Sequence, residues 1–149
     1  MNDELKNRLR HLRAPLLLEP MAPLIGNIEE GLPEPSSDVP FWDDFLRVCD
    51  GARFDSVDVF SDRNLDANQF RAPDIPEIYG YSLIIGQILY QPVFLPIDSL
   101  DLMVLQDNGE TVDLGAADQA VLKYFLGDSY INLAPSLDLD EWWDFIERT

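Results

Sequence analysis

Few residues in this chain have side chains suited to chemistry. His11 is the only histidine and Cys49 the only cysteine among 149 residues. A zinc site or a Ser–His pair needs partners close by. The stretch MNDELKNRLRHLR around His11 supplies neither a cysteine nor a second histidine. Cys49 falls in FWDDFLRVC, on the apolar side with Phe45 and Leu46. A free cysteine in such a setting is a small buried hydrophobe, whereas a nucleophile wants an electropositive, partly open one. Asp43 and Asp44 are consecutive, so on a helix they diverge by ~100° and cannot share a proton as a facing dyad does. They lie in the first half of the helix, where its dipole favours negative charge.

The remaining carboxylates lack ligand spacing. Asp55, Asp58 and Asp62 depart from the calcium-loop order D-x-[DN]-x-[DN]-G. Asp107–Asn108–Gly109 lacks the flanking ligands and reads as a hairpin turn, and Asp138 and Asp140 read as a helix start. The only lysines are Lys6 and Lys123, so no nuclease-type cluster of carboxylates with lysine is formed, and there is no Gly-rich phosphate loop or G-x-S-x-G. The expectation is therefore binding without catalytic residues, cofactor or metal. Of Trp142 and Trp143, one is expected to anchor the core and the other to face a partner.

Charge points the same way. The formal net charge is −18, from 28 acidic and 10 basic residues. Lys6, Arg8, Arg10 and Arg13 crowd the start, and no Lys or Arg occurs between Ala72 and Leu122. Such a surface repels phosphate backbones and anionic membranes, and it speeds encounter with a basic protein. One cysteine excludes an internal disulfide. No apolar run approaches the ~20 residues that span a bilayer, and the start lacks the apolar core of a signal peptide. The expected location is the cytoplasm.

The elements that must position these groups follow from periodicity. Leu5, Leu9 and Leu12 mark a short helix over 2–13. Five prolines in 14–35 indicate a connector with room for little more than a turn near Leu24–Ile28. Ser36, Ser37 and Asp38 offer N-caps, Pro40 suits a first turn and Gly51 a terminator, which predicts a helix over 38–50. RFDSVDVF (53–60), YSLIIGQILY (81–90) and PVFLPI (92–97) read as strands, with Gly86 marking a bulge or close approach. Residues 61–80 read as a polar loop. LMVLQDNGETVDL (102–114) reads as a hairpin whose Asn108–Gly109 suits a type I′ turn. A helix over 116–126 closed by Gly127, a short strand over 130–134 and a last helix opened by Asp138 and Glu141 complete the chain. The predicted fold class is α+β, with a single mostly antiparallel sheet and N- and C-terminal helices packed on it, one sheet face covered and the other more open. One domain is expected over 1–149, with 1–31 a helix and connector and 32–149 the core.

In this order the pieces resemble a known family. Leu32–Pro33 ahead of FWDDFLRVCDG, VFLPIDS (93–99), LMVLQDNGETVDL and the closing APSLDLDEWWDFIERT are similar to successive motifs of the SUKH superfamily, which includes a fungal cell-wall synthesis regulator and many bacterial immunity proteins. The likeness covers roughly 32–146. It departs at Asp98, where the family usually has glycine, in the missing Gly/Asp-rich turn after it, and in the added helix over 116–126. The resemblance implies a single antiparallel sheet and a role as inhibitor or adaptor, often against toxin nucleases. With the charge, it predicts an immunity protein that covers a basic toxin domain. Candidate contacts are Asp55, Asp58, Asp62 and Asp66, then Asp74 and Glu77, then Asp98 and Asp101. A regulatory or scaffold module binding through an apolar groove is the alternative reading, and an unrecognised hydrolase the third.

Overall fold

Alternating apolar residues in short runs, punctuated by turns, build one sheet. The computed structural model describes residues 1–20, 22–35, 37–133 and 140–149. The strands are β1 (Gly26–Ile28), β2 (Ala52–Phe54), β3 (Val57–Val59), β4 (Ser82–Ile88), β5 (Gln91–Pro96), β6 (Asp101–Leu105) and β7 (Thr111–Ala116). They lie side by side in chain order, every neighbouring pair antiparallel. In such a meander, turns alternate between the two ends of the sheet. The β2–β3, β4–β5 and β6–β7 turns therefore share one end, and the β5–β6 turn lies at the other. The helices are α1 (Asp3–Leu18), α2 (Ala22–Ile25), α3 (Pro40–Val48), α4 (Asp62–Leu65), α5 (Ala117–Ala120), α6 (Tyr130–Leu133) and α7 (Asp140–Arg148). The fold is α+β with one antiparallel sheet and helices at both chain ends, as expected. No helix among the described residues is long and apolar enough to cross a membrane.

The period of two splits the strands between two cores. Phe54, Val57, Leu83, Val93, Leu95 and Val104 pack with Leu5, Leu9, Leu12 and Leu16 of α1, Trp42 and Phe45 of α3, Phe125, and Trp142 of α7. The alternate residues Ile84, Phe94, Met103 and Leu105 form a smaller cluster on the opposite face. Ile75, Ala72 and Tyr79, from the segment between β3 and β4, cover it. The second face is thus covered over β4–β6 and uncovered over β1–β3.

Several local expectations give way to packing. α1 runs through Pro15 to Leu18, beyond the predicted end at 13. An internal proline costs ~3 kcal/mol, but continuing the helix buries Leu16 as a fourth leucine of the same stripe. The supposed connector therefore holds the end of α1, then α2 and β1. The predicted strand 53–60 is a hairpin, because Asp55 adopts φ 55° and turns the chain; aspartate tolerates this left-handed region better than most residues. The loop 61–80 folds into α4 and three 3₁₀ turns. α3 is capped by Val39 rather than by a side chain, and Ser37 Oγ accepts from the Val39 N–H at 3.2 Å. The helix predicted over 116–126 is α5 continued by a π-helical turn, Val121–Phe125.

Tyr130 begins a helical turn, not a strand. Its ring is buried, and its hydroxyl donates to the Phe54 carbonyl at 3.1 Å and accepts from the Ser56 N–H at 3.0 Å. The capping pair Asp138–Glu141 lies partly outside the described residues.

Gly86 does mark a bulge: register shifts between Ile84 and Gly86, and a Cβ there would stand 2.2 Å from the Asp58 carbonyl oxygen. Gln69 then meets both backbone groups of Ile84. Its Oε1 accepts from the Ile84 N–H at 3.0 Å and its Nε2 donates to the Ile84 carbonyl at 2.7 Å. One side chain thereby fastens the covering segment to the sheet.

Candidate interaction surface

The reactive residue types are placed structurally. Cys49 is fully buried. Burial, followed by the nearby charges of Asp50 and Glu29, pushes its thiol well above the ordinary range. A thiol so held is not a nucleophile. Asp44 accepts from the Met1 amino group at 3.0 Å and from Arg47 at 3.2 Å. The hydrogen bond from that amine is the main influence holding its carboxyl below the ordinary value. His11 is exposed, its Nε2 2.8 Å from the Thr149 carbonyl. Among the described residues no three His, Cys, Asp or Glu side chains stand close enough to hold a metal ion together. Trp142 is buried, its Nε1 donating to the Phe125 carbonyl at 3.0 Å, and Trp143 is half-buried.

The eight candidate carboxylates do not meet at one place. Asp55 is in the β2–β3 turn beside the Tyr130 hydroxyl. Asp98 and Asp101 lie in and after the β5–β6 turn, at the other end of the sheet. Asp66, Asp74 and Glu77 are exposed on the covering segment, and Asp74 pairs with Arg71 at 2.7 Å. Asp62 opens α4, where its N–H donates to Asp50 Oδ1 at 2.8 Å. Asp58 alone of the eight points from a strand onto the uncovered half of the second face, cross-strand from Arg53 and Gln87.

Asp58 there joins residues that sequence reasoning missed. The uncovered strands and the start of α4 enclose an open concavity of about 570 Å³, whose acidic lining is Glu29, Glu30, Asp50 and Asp58. Among the described residues none of these four is in an ion pair. Glu29 accepts from Asn27 at 2.6 Å, Asp50 from the Asp62 N–H, and Asp58 from Gln87 Nε2 at 3.5 Å. The basic lining is Arg53 and Arg63. Arg53 donates to backbone carbonyls, to Pro23 at 2.8 Å and to Asp55 at 3.4 Å.

A groove of about 200 Å³ adjoins the concavity and shares Phe60 with it. Phe70 and Tyr90 line it and are largely exposed, at 76% and 80%. Arg71 donates to the Tyr90 carbonyl at 3.4 Å, tying the covering segment to the β4–β5 turn. That turn has two residues, Leu89 at φ 49° and Tyr90 at φ 74°. Both central positions are left-handed, as a type I′ turn requires, where Asn-Gly is the favoured pair. Holding two side-chain-bearing residues there costs ~1–3 kcal/mol each. The predicted type I′ turn at Asn108–Gly109 is a different one. Only Gly109 is left-handed, at φ 84°. Its N–H donates to the Gln106 carbonyl at 3.0 Å while the Gln106 N–H donates to the Glu110 carbonyl at 2.8 Å, so the loop is longer and contains a glycine bulge.

The missed residues left weak signals. Glu29 and Glu30 follow a three-residue strand inside a proline-rich stretch. Leu89–Tyr90 lies between Gln87 and Gln91 with no Gly, Asn or Asp at either position to mark a turn, so it reads as the end of the strand over 81–90. No family model, curated protein or solved structure matches this chain.

Proposed function

We propose that this chain is an acidic, non-enzymatic binding protein of the immunity type, which binds and neutralises a basic toxin domain such as a nuclease. The observation that carries the reading is the charge: −18 overall, with no Lys or Arg across 72–122. A nuclease is basic where it holds phosphates, so an acidic cover competes with its substrate electrostatically. The order of motifs resembling the SUKH superfamily supports the same role, and the cytoplasm is the compartment that fits it. The test is binding to a basic C-terminal domain encoded in the neighbouring reading frame, at ~0.05 M and ~0.3 M salt. Affinity should fall by about tenfold or more as salt rises, and charge reversal of Asp58 together with Asp50 should weaken it. Affinity indifferent to both changes refutes the reading.

One observation favours a second reading, a regulatory or scaffold module. Phe70 and Tyr90, which line one groove, are both more than three-quarters exposed, and large apolar side chains grouped at a surface mark interaction sites. That reading predicts binding sensitive to aromatic substitution and nearly insensitive to salt.

A further inference from the structure

We infer that the uncovered half of the second sheet face, together with the adjoining Phe70–Tyr90 groove between the covering segment and β4–β5, is the docking surface, and that its occupant is an arginine-bearing segment of a basic protein. This rests on the basic-partner reading above and adds the place and the side chain recognised.

The two depressions form one continuous surface. Phe60 lines both, and between them the cross-strand pair Asp58 and Gln87 puts one member in each. One end offers carboxylates without ion-pair partners and the other offers two exposed aromatic rings. Arginine answers both. Its planar fork of five donors matches carboxylates, its charge and flat face suit an aromatic ring, and its aliphatic stem lies along apolar surface. Lysine satisfies the charge but not the planar contacts. Of the three arginines lining the surface, Arg53 is turned to backbone carbonyls, Arg71 to Asp74 and the Tyr90 carbonyl, and Arg63 is exposed at the start of α4. Among the described residues none of the three forms an ion pair with Glu29, Glu30, Asp50 or Asp58. Beyond Arg71 the chain has no basic residue until Lys123, so the β4–β5 turn and β5–β7 bring no competing cation. A second copy would carry the same −18 and be repelled, and nucleic acid is repelled for the same reason.

The test is an amide NMR titration of the full chain with a peptide of alternating arginine and leucine, beside versions with lysine or aspartate replacing arginine. The arginine peptide should bind most tightly and the aspartate peptide not at all. Shifts should concentrate at Asp58, Phe60, Phe70, Gln87 and Tyr90. Phe70→Ala with Tyr90→Ala should weaken arginine-peptide binding at least about tenfold without loss of the folded spectrum, and should affect the lysine peptide less. Shifts centred instead on Asp98–Asp101 or on the Asp107–Glu110 loop would overturn the site and leave the basic-partner reading standing. Equal binding of the arginine and lysine peptides would overturn the choice of arginine. No binding by any cationic peptide at low salt would overturn both.

Discussion

Beneath the helices, Phe54 is fully buried, its ring 5.6 Å from Trp142 and 6.2 Å from Phe125. One residue earlier on the same strand, Arg53 faces the other way, onto an open concavity beside Asp58 and Asn27. The sheet thus separates two tasks that a period of two makes separable. The helix-side face carries apolar burial from both ends of the chain. The second face is closed only where the segment between β3 and β4 crosses it, and over β1–β3 it keeps polar groups in reach of solvent. Substitutions should divide accordingly, with large stability losses and intact surface chemistry on one side, and small stability changes with altered recognition on the other.

The sharpest break of that contrast is Phe54→Ala. It should cost ~3–5 kcal/mol and lower the midpoint of chemical denaturation severely. A loss below ~1 kcal/mol would mean the helix-side face is not the main core.

The next effect is a pH dependence on that same face. Burial pushes the Tyr130 hydroxyl from 10.0 to about 12 in the folded chain. The folded state therefore holds this proton more tightly than the unfolded state. Its contribution is complete below pH ~10 and is lost as pH rises from there to about 12, by about 3 kcal/mol. Denaturation measured across that range should show the slope. Tyr130→Phe should flatten it while lowering stability at neutral pH, because the Phe54 carbonyl and Ser56 N–H lose their partner.

Smaller again is Gly86→Ala, at the joint between the two faces. The added carbon would meet the Asp58 carbonyl at 2.2 Å, so β3 and β4 must part. The expected cost is ~1–3 kcal/mol, with the largest amide shifts at Asp58 and Val59. An unperturbed β3 spectrum would show that the strands do not approach so closely.

How far these faces are legible in the sequence depends on how much of the signal is local. The four longer strands and the acidic helix α3 carry their own periodicity, and so the α+β class with an antiparallel sheet follows from the sequence. The candidate site does not. β1, β2 and β3 have three residues each, too short for alternation to stand out, and their pairing brings Glu29, Glu30 and Asp50 to Asp58 from across the chain. Charge alone picked Asp55 and Asp98, which the meander sends to opposite ends. Pro15 and Tyr130 mislead because long-range burial outweighs a local preference.

The turns show the same limit, and the last prediction uses it. Asn108–Gly109 has the favoured chemistry for a type I′ turn, but the chain adopts a longer loop with only Gly109 left-handed. Leu89–Tyr90 has no turn chemistry and yet holds both residues left-handed. If the second face tolerates strain for the sake of presenting Tyr90, relieving it must stabilise the fold. Leu89→Asn with Tyr90→Gly supplies the pair that the geometry prefers. The loss of exposed apolar contact is small, because Tyr90 is 80% and Leu89 43% exposed. The double variant should gain ~1 kcal/mol, seen as a melting midpoint raised by a few degrees, while binding the arginine peptide less tightly. Stability falling instead would show that Leu89 and Tyr90 hold the β4–β5 hairpin together, and the division between a structural face and a recognising face would then fail at its edge.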